Sequence, residues 1–151
     1  MANTAASGVV ASIHTVRERD GLAESVSEAG LVADYGIQGD FRSRRNSGRQ
    51  VTLIEEEALQ ATGERLGYDV PPGASRRQVM VRGLPLQETI GKTLRAGGVV
   101  LAVDGPCDPC DNMNAKIGPG ARAAMQGWGG VCVRVVHGGQ LRIGDDVTVQ
   151  E

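Results

Sequence analysis

The chain of 151 residues sets 16 Lys and Arg against 18 Asp and Glu, a formal charge of −2, so no global field draws it to nucleic acid or to a membrane surface. One Trp, two Tyr and one Phe leave little to stack on bases, and no stretch approaches the roughly 20 apolar residues of a spanning helix. One domain over 1–151 is expected, long enough to bury about two-thirds of the surface its unfolded form exposes. The odd count of three cysteines is not the even framework of a secreted scaffold, and the opening MANTAASGVVASIHTV reads without a basic leader; a cytoplasmic protein with reduced thiols is expected.

Gly8 to Val16 predicts a first strand, since Val9, Val10 and Ile13 are β-formers in a short apolar run. His14 at its end is read as an ordinary strand histidine. Gly21 to Asp34 has a weak pattern and is expected to wrap the body. In YGIQGD, two glycines signal a tight backbone followed by an acid, Asp40. FRSRRNSGR is too polar and Gly-rich for a core element and predicts a loop carrying Arg42, Arg44, Arg45 and Arg49. Such a run is commonly a solvated face. Every cation before Lys92 is Arg, however, and Arg is suited to bidentate binding of phosphate or carboxylate, so anion binding is the preferred reading.

Gln50 to Ile54 predicts a strand and Glu55 to Leu66 a helix, with acids in its first turn and Gly67 ending it. Pro71-Pro72-Gly73 is a rigid turn. Arg76-Arg77-Gln78 then enters a strand, Val79 to Val81, where the two arginines either extend the anion site or are merely solvated. From Leu84 onward short strands alternate with glycine turns: Leu84 to Leu86, Thr93 to Arg95, Val99 to Val103, Val131 to Val136, Leu141 to Ile143 and Val147 to Val149. Regular short strands of this kind predict a closed or highly curved β-structure. Gly118-Pro119-Gly120 precedes a short helix, Ala121 to Gln126. Val131, Val133 and Val135 share one face of their strand, and Cys132 and Arg134 the other. That alternation does not place Cys132 near Cys107.

The stretch VVLAVDGPCDPCDNMNAK, Val99 to Lys116, reads as a strand ending in a proline-punctuated turn that presents Cys107 and Cys110. A helical turn over Asp111 to Lys116 would favour the Cys110 thiolate through its unpaired N–H groups, making Cys110 the candidate reactive sulfur. The plainer readings stay open: a small buried hydrophobe, or half of a zinc or redox pair. Zinc would need ligands from scattered positions such as His14 and His137. With two residues between them, Cys107 and Cys110 can reach disulfide separation, so Cys107 is a candidate resolving thiol.

GIQGD at 36–40, RQVTLIEEEAL at 49–59, PPGASRRQVMVRGLPL at 71–86, PC at 109–110, IGPG at 117–120 and GGVCVRVVHGGQLRIGDDV at 129–147 together resemble the MOSC domain of molybdenum cofactor sulfurases, in its stand-alone bacterial form. The resemblance implies a mainly β fold, a MOSC-type closed barrel with a few short helices. It also implies a key cysteine, falling on Cys110, that carries sulfur as a persulfide or binds the metal of the molybdenum cofactor (molybdopterin). Arg44, Arg45, Arg49, Arg76, Arg77 and Asp40 lie in the matching loops and are the implied cofactor-binding residues, with arginines on the pterin phosphate. Some members reduce N-hydroxylated substrates, so the implied partners are a small-molecule substrate or pterin and a sulfur donor or electron-transfer protein. At 78 this chain has Gln where the family usually has Asn, at 128 Trp where it has Arg, and Cys107 is an extra thiol. The other class that fits is a non-catalytic module for a small anionic ligand or protein partner, with Cys110 a structural thiol.

Overall fold

β-branched runs cut by glycine turns give a sheet that curls back on itself. The computed structural model describes residues 7–107, 117–125 and 129–150. The strands are β1 (Ser7–Thr15), β2 (Glu24–Val26), β3 (Glu28–Val32), β4 (Gly36–Ile37), β5 (Val51–Glu55), β6 (Val79–Arg82), β7 (Thr93–Ala96), β8 (Val99–Pro106), β9 (Val131–His137), β10 (Gly139–Arg142) and β11 (Asp146–Gln150). The main sheet runs β11-β7-β8-β9-β5-β6-β1 and closes through β11 onto β1, a seven-strand barrel; β2 extends it from β1, and β10-β3-β4 form a smaller sheet. β1 is long enough to do this. Its Ser7 to Val9 pair with β11 while Val9 to Ile13 pair with β6. Closure removes the exposed edges that an open sheet would offer to other chains.

Alternation sorts the side chains. Val51 and Leu53 of β5, Val79 and Val81 of β6, and Val131, Val133 and Val135 of β9 all point into one buried cluster inside the barrel, each such side chain contributing about 1.5–3 kcal/mol. Their neighbours Ile54 and Met80 face outward, where α1 (Glu56–Leu66) and α2 (Ala121–Ala124) cover them with Ala58, Leu59, Ala121 and Met125. α1 carries Glu56 and Glu57 in its first turn, Arg65 in its last, and stops at Gly67 with φ of 85°, a left-handed conformation that glycine adopts without strain. It joins β5 to β6, which run parallel, a pairing that needs such a crossover.

Three expectations differ from the observed elements. Gly21 to Asp34 holds β2 and β3, whose partners β1 and β10 are remote in sequence for β10 and invisible to local periodicity. Leu84 to Leu86 is not a strand: Leu86–Thr89 turns as a 3-10 helix after Pro85, whose φ of −72° and missing N–H suit a helical start. β8 runs past Val103 to Pro106, with a register shift between Val103 and Gly105 against β9. Among the described residues no helix is long and apolar enough to cross a membrane.

Candidate functional site

Toward the start of β5 the outer barrel face passes beyond the cover of α1. Thr52, Gln78 and Cys132 occupy it. Thr52 lies opposite Cys132 in the β5–β9 register. Gln78 locks onto Thr52 from the other side: its Oε1 accepts from Thr52 N at 2.9 Å, and its N–H lies 3.0 Å from Thr52 Oγ1. This use of the amide oxygen commits one end of Gln78 and leaves the other. Nε2 is buried and has no partner at good hydrogen-bond geometry, although it lies near enough to the Asp40 carboxyl to help lower its pKa, as the least of the causes. An unsatisfied buried donor costs about 1–3 kcal/mol, so this one is a standing invitation to an acceptor.

Facing Gln78 is the arginine loop, pinned by specific bonds. Asp40, with its side chain fully buried, accepts from Val16 N at 3.0 Å and from Arg42 N, Nε and Nη2 at 2.9, 2.9 and 2.8 Å. Burial by itself pushes the Asp40 carboxyl up, but the Arg42 bonds and charge outweigh it and the net shift is downward. The remaining Arg42 nitrogen, Nη1, donates to Arg76 O at 2.6 Å. Ser43 Oγ donates to Ile37 O, Arg44 N to Tyr35 O, and both Asn46 N and Gln50 Nε2 to Asp34 Oδ1. Between this loop and the barrel lies a cavity of about 350 Å³ lined by Arg42, Arg44, Ser47, Arg49, Gln50, Thr52 and Gln78.

Of the arginines named from sequence, Arg42, Arg44 and Arg49 line this cavity; Arg42 is committed to Asp40, and among the described residues neither the Arg44 nor the Arg49 guanidinium has a hydrogen bond or ion pair. Arg45 instead sits 5.6 Å over the Tyr35 ring. Arg76 has φ of 65° and donates to Gly21 O at 2.8 Å. Arg77 is buried, its Nε on Gly129 O at 2.7 Å and Nη2 on Cys107 O at 3.2 Å, so it ties two chain segments together. Asp40 positions Arg42. Cys110 and the expected turn over 111–116 lie outside the described residues. A larger cavity of about 720 Å³ runs along α1, but Glu56, Glu64 and Asp69 line it and, among the described residues, no cation does, which disfavours an anion there. His14 is occupied by Ser12 and Ser25 at 2.8 and 3.3 Å, and burial lowers its pKa.

Cys107 is 2 % exposed and Cys132 9 %. The Cys132 thiol is pushed up first by a side-chain hydrogen bond with Cys107 and then by burial, against the opposing pull of Arg49 and Arg77. The two sulfurs are therefore neighbours, a juxtaposition that alternation along one strand could not give. Also missed were Thr52 and Gln78 as cavity walls. Thr52 had one local signal, a polar residue on the outward side of an apolar strand; Gln78 had none beyond its place in the block after Arg77.

The closed seven-strand barrel thus carries an arginine-walled cavity and, on the same outer side, two buried thiols. The MOSC domain model matches residues 39–148, and the chain belongs to the MOSC domain family. Its fold is similar to that of YuaD from Bacillus subtilis (TM-score 0.82, 18 % identity, covering 95 % of each chain). It is also similar to YiiM from Geobacillus stearothermophilus (TM-score 0.77, 18 % identity, 95 % of this chain and 75 % of that one) and YiiM from Escherichia coli (0.67, 16 %, 95 % and 70 %). No curated protein sequence matches the chain.

Proposed function

We propose that the protein binds the phosphate-bearing pterin of the molybdenum cofactor, with its anionic end in the arginine cavity and Cys110 as the soft sulfur ligand or persulfide carrier. The observation that carries this reading is the meeting of two uncommitted guanidiniums, Arg44 and Arg49, with the unsatisfied Gln78 amide around one cavity. Planar arginines and an N–H donor match the oxygens of a phosphate. A volume of about 350 Å³ is at the small end for ligand sites, which suits one end of a larger molecule. The molybdenum centre, when bound, supplies two-electron oxidation and reduction. This chain's residues bind and orient: Asp40 fixes Arg42 as a wall, Arg44 and Arg49 neutralise the anion, and Gln78 donates to it. Reduction of N-hydroxylated compounds and sulfur transfer are the two activities this binding serves. In the cytoplasm its partner in either activity is a sulfur donor or an electron-transfer protein.

Titration of wild type, Arg44→Ala and Arg49→Ala with a phosphorylated pterin tests the binding. Each substitution is expected to weaken affinity by about 1.5–3 kcal/mol, the value of a hydrogen bond to a charged group. Unchanged affinity in both variants would return these arginines to the role of a solvated surface.

A further inference from the structure

We propose that Cys107 and Cys132 form a two-thiolate site for a soft monovalent cation of the Cu(I) class, adjoining the arginine cavity, whose wall residue Thr52 lies opposite Cys132. On the β8–β9 ladder Gly105 lies opposite Cys132 and Pro106 opposite Val131, and Cys107 N continues the pairing with a 2.8 Å bond to Gly130 O. Alternation puts Cys107 on the same face as Gly105 and Cys132, diagonally across from Cys132. Gly105 sets no side chain beside the two sulfurs, and a Cβ built there would meet nothing within 4 Å. Among the described residues this leaves open space beside the two sulfurs.

Diagonal positions on a ladder stand about 7–8 Å apart, beyond the roughly 4.4–6.8 Å between the Cα atoms of a disulfide. The two thiols are hydrogen-bonding neighbours, and Cys132 Sγ lies 4.0 Å from Pro106 O. This spacing suits an atom bridging the two sulfurs better than a direct S–S bond. Among the described residues no group of three or more His, Cys, Asp or Glu could hold a metal. Thiolates select soft cations, and Cu(I) is content with two of them. Two thiols and one Cu(I) give a bis-thiolate complex of net charge −1 and two released protons, with no change in oxidation state. The contact with Cys107 and burial hold the Cys132 thiol protonated in the absence of an ion, an effect that Arg49 and Arg77 offset in part; Arg77 also holds the Cys107 carbonyl.

Anaerobic competition for Cu(I) against a chromophoric chelator, under ascorbate, tests the site. Wild type is expected to take one Cu(I) per chain, with affinity rising with pH because protons leave. Cys107→Ser and Cys132→Ser should each bind more than about 100-fold more weakly, since even outer-shell changes cost 10–100-fold at metal sites. The corresponding alanine variants replace any serine variant that fails to fold. X-ray absorption of the loaded wild type should find two sulfur neighbours. Wild-type affinity in a folded variant of either cysteine, or a copper ion without two sulfurs, overturns the proposal.

Discussion

Asp40→Ala is expected to destabilise the protein by about 3–5 kcal/mol, the cost of breaking a buried ion pair from one side. It removes the acceptor of Val16 N and of three Arg42 nitrogens at once. For a chain of this length that corresponds to a fall in Tm of roughly 6–20 °C. Asp40→Asn keeps the shape but not the charge and should lie between. The pH dependence follows from the sign of the shift. Because the folded Asp40 pKa is depressed, the carboxylate's stabilisation is fully present above its unfolded value near 3.9 and is lost as pH falls through the lower folded value. The wild-type Tm should therefore drop below about pH 4 more steeply than that of Asp40→Asn. A variant within 1 kcal/mol of wild type by urea unfolding would deny Asp40 this role.

Arg77→Met is the second large change, expected to cost about 3 kcal/mol through two abandoned carbonyls, those of Gly129 and Cys107. Met retains much of the volume, so the loss reports bonding more than a cavity. The same substitution should loosen the end of β8. Cys107, now buried, would then alkylate faster in the native state. An unchanged Tm together with unchanged Cys107 labelling would show that the guanidinium is not the tie between these segments.

How much the sequence discloses depends on the range of the interaction. β5, α1, β6 and β9 are legible because Val, Ile and Leu recur at strand or helix spacing and Gly67 stops the helix locally. β2 and β3 are not, because β3 is stabilised by β10, more than a hundred residues away in register from Glu28 to Arg142. The arginine loop is visible as composition, yet its order comes from Asp40, just before it, which also holds Val16 N, and from Asp34, which holds Asn46 N and Gln50. Arg44, Arg45 and Arg49 look alike in sequence. Only the fold sends Arg45 to Tyr35 and the other two to the cavity. Adjacent Arg76 and Arg77 also part company, one half-buried with positive φ and one fully buried, because the chain turns between them into β6. Cys132 meets Cys107 through a cross-strand register that neither strand encodes alone.

Molybdenum and pterin content of the protein purified from a molybdate-supplied host tests cofactor binding most directly. Wild type should carry both, Cys110→Ser should lose molybdenum while keeping its fold, and Arg44→Ala with Arg49→Ala should lose molybdenum and pterin together. Equal molybdenum and pterin in the wild type and the double arginine variant, or neither in a folded wild type, would contradict the assignment.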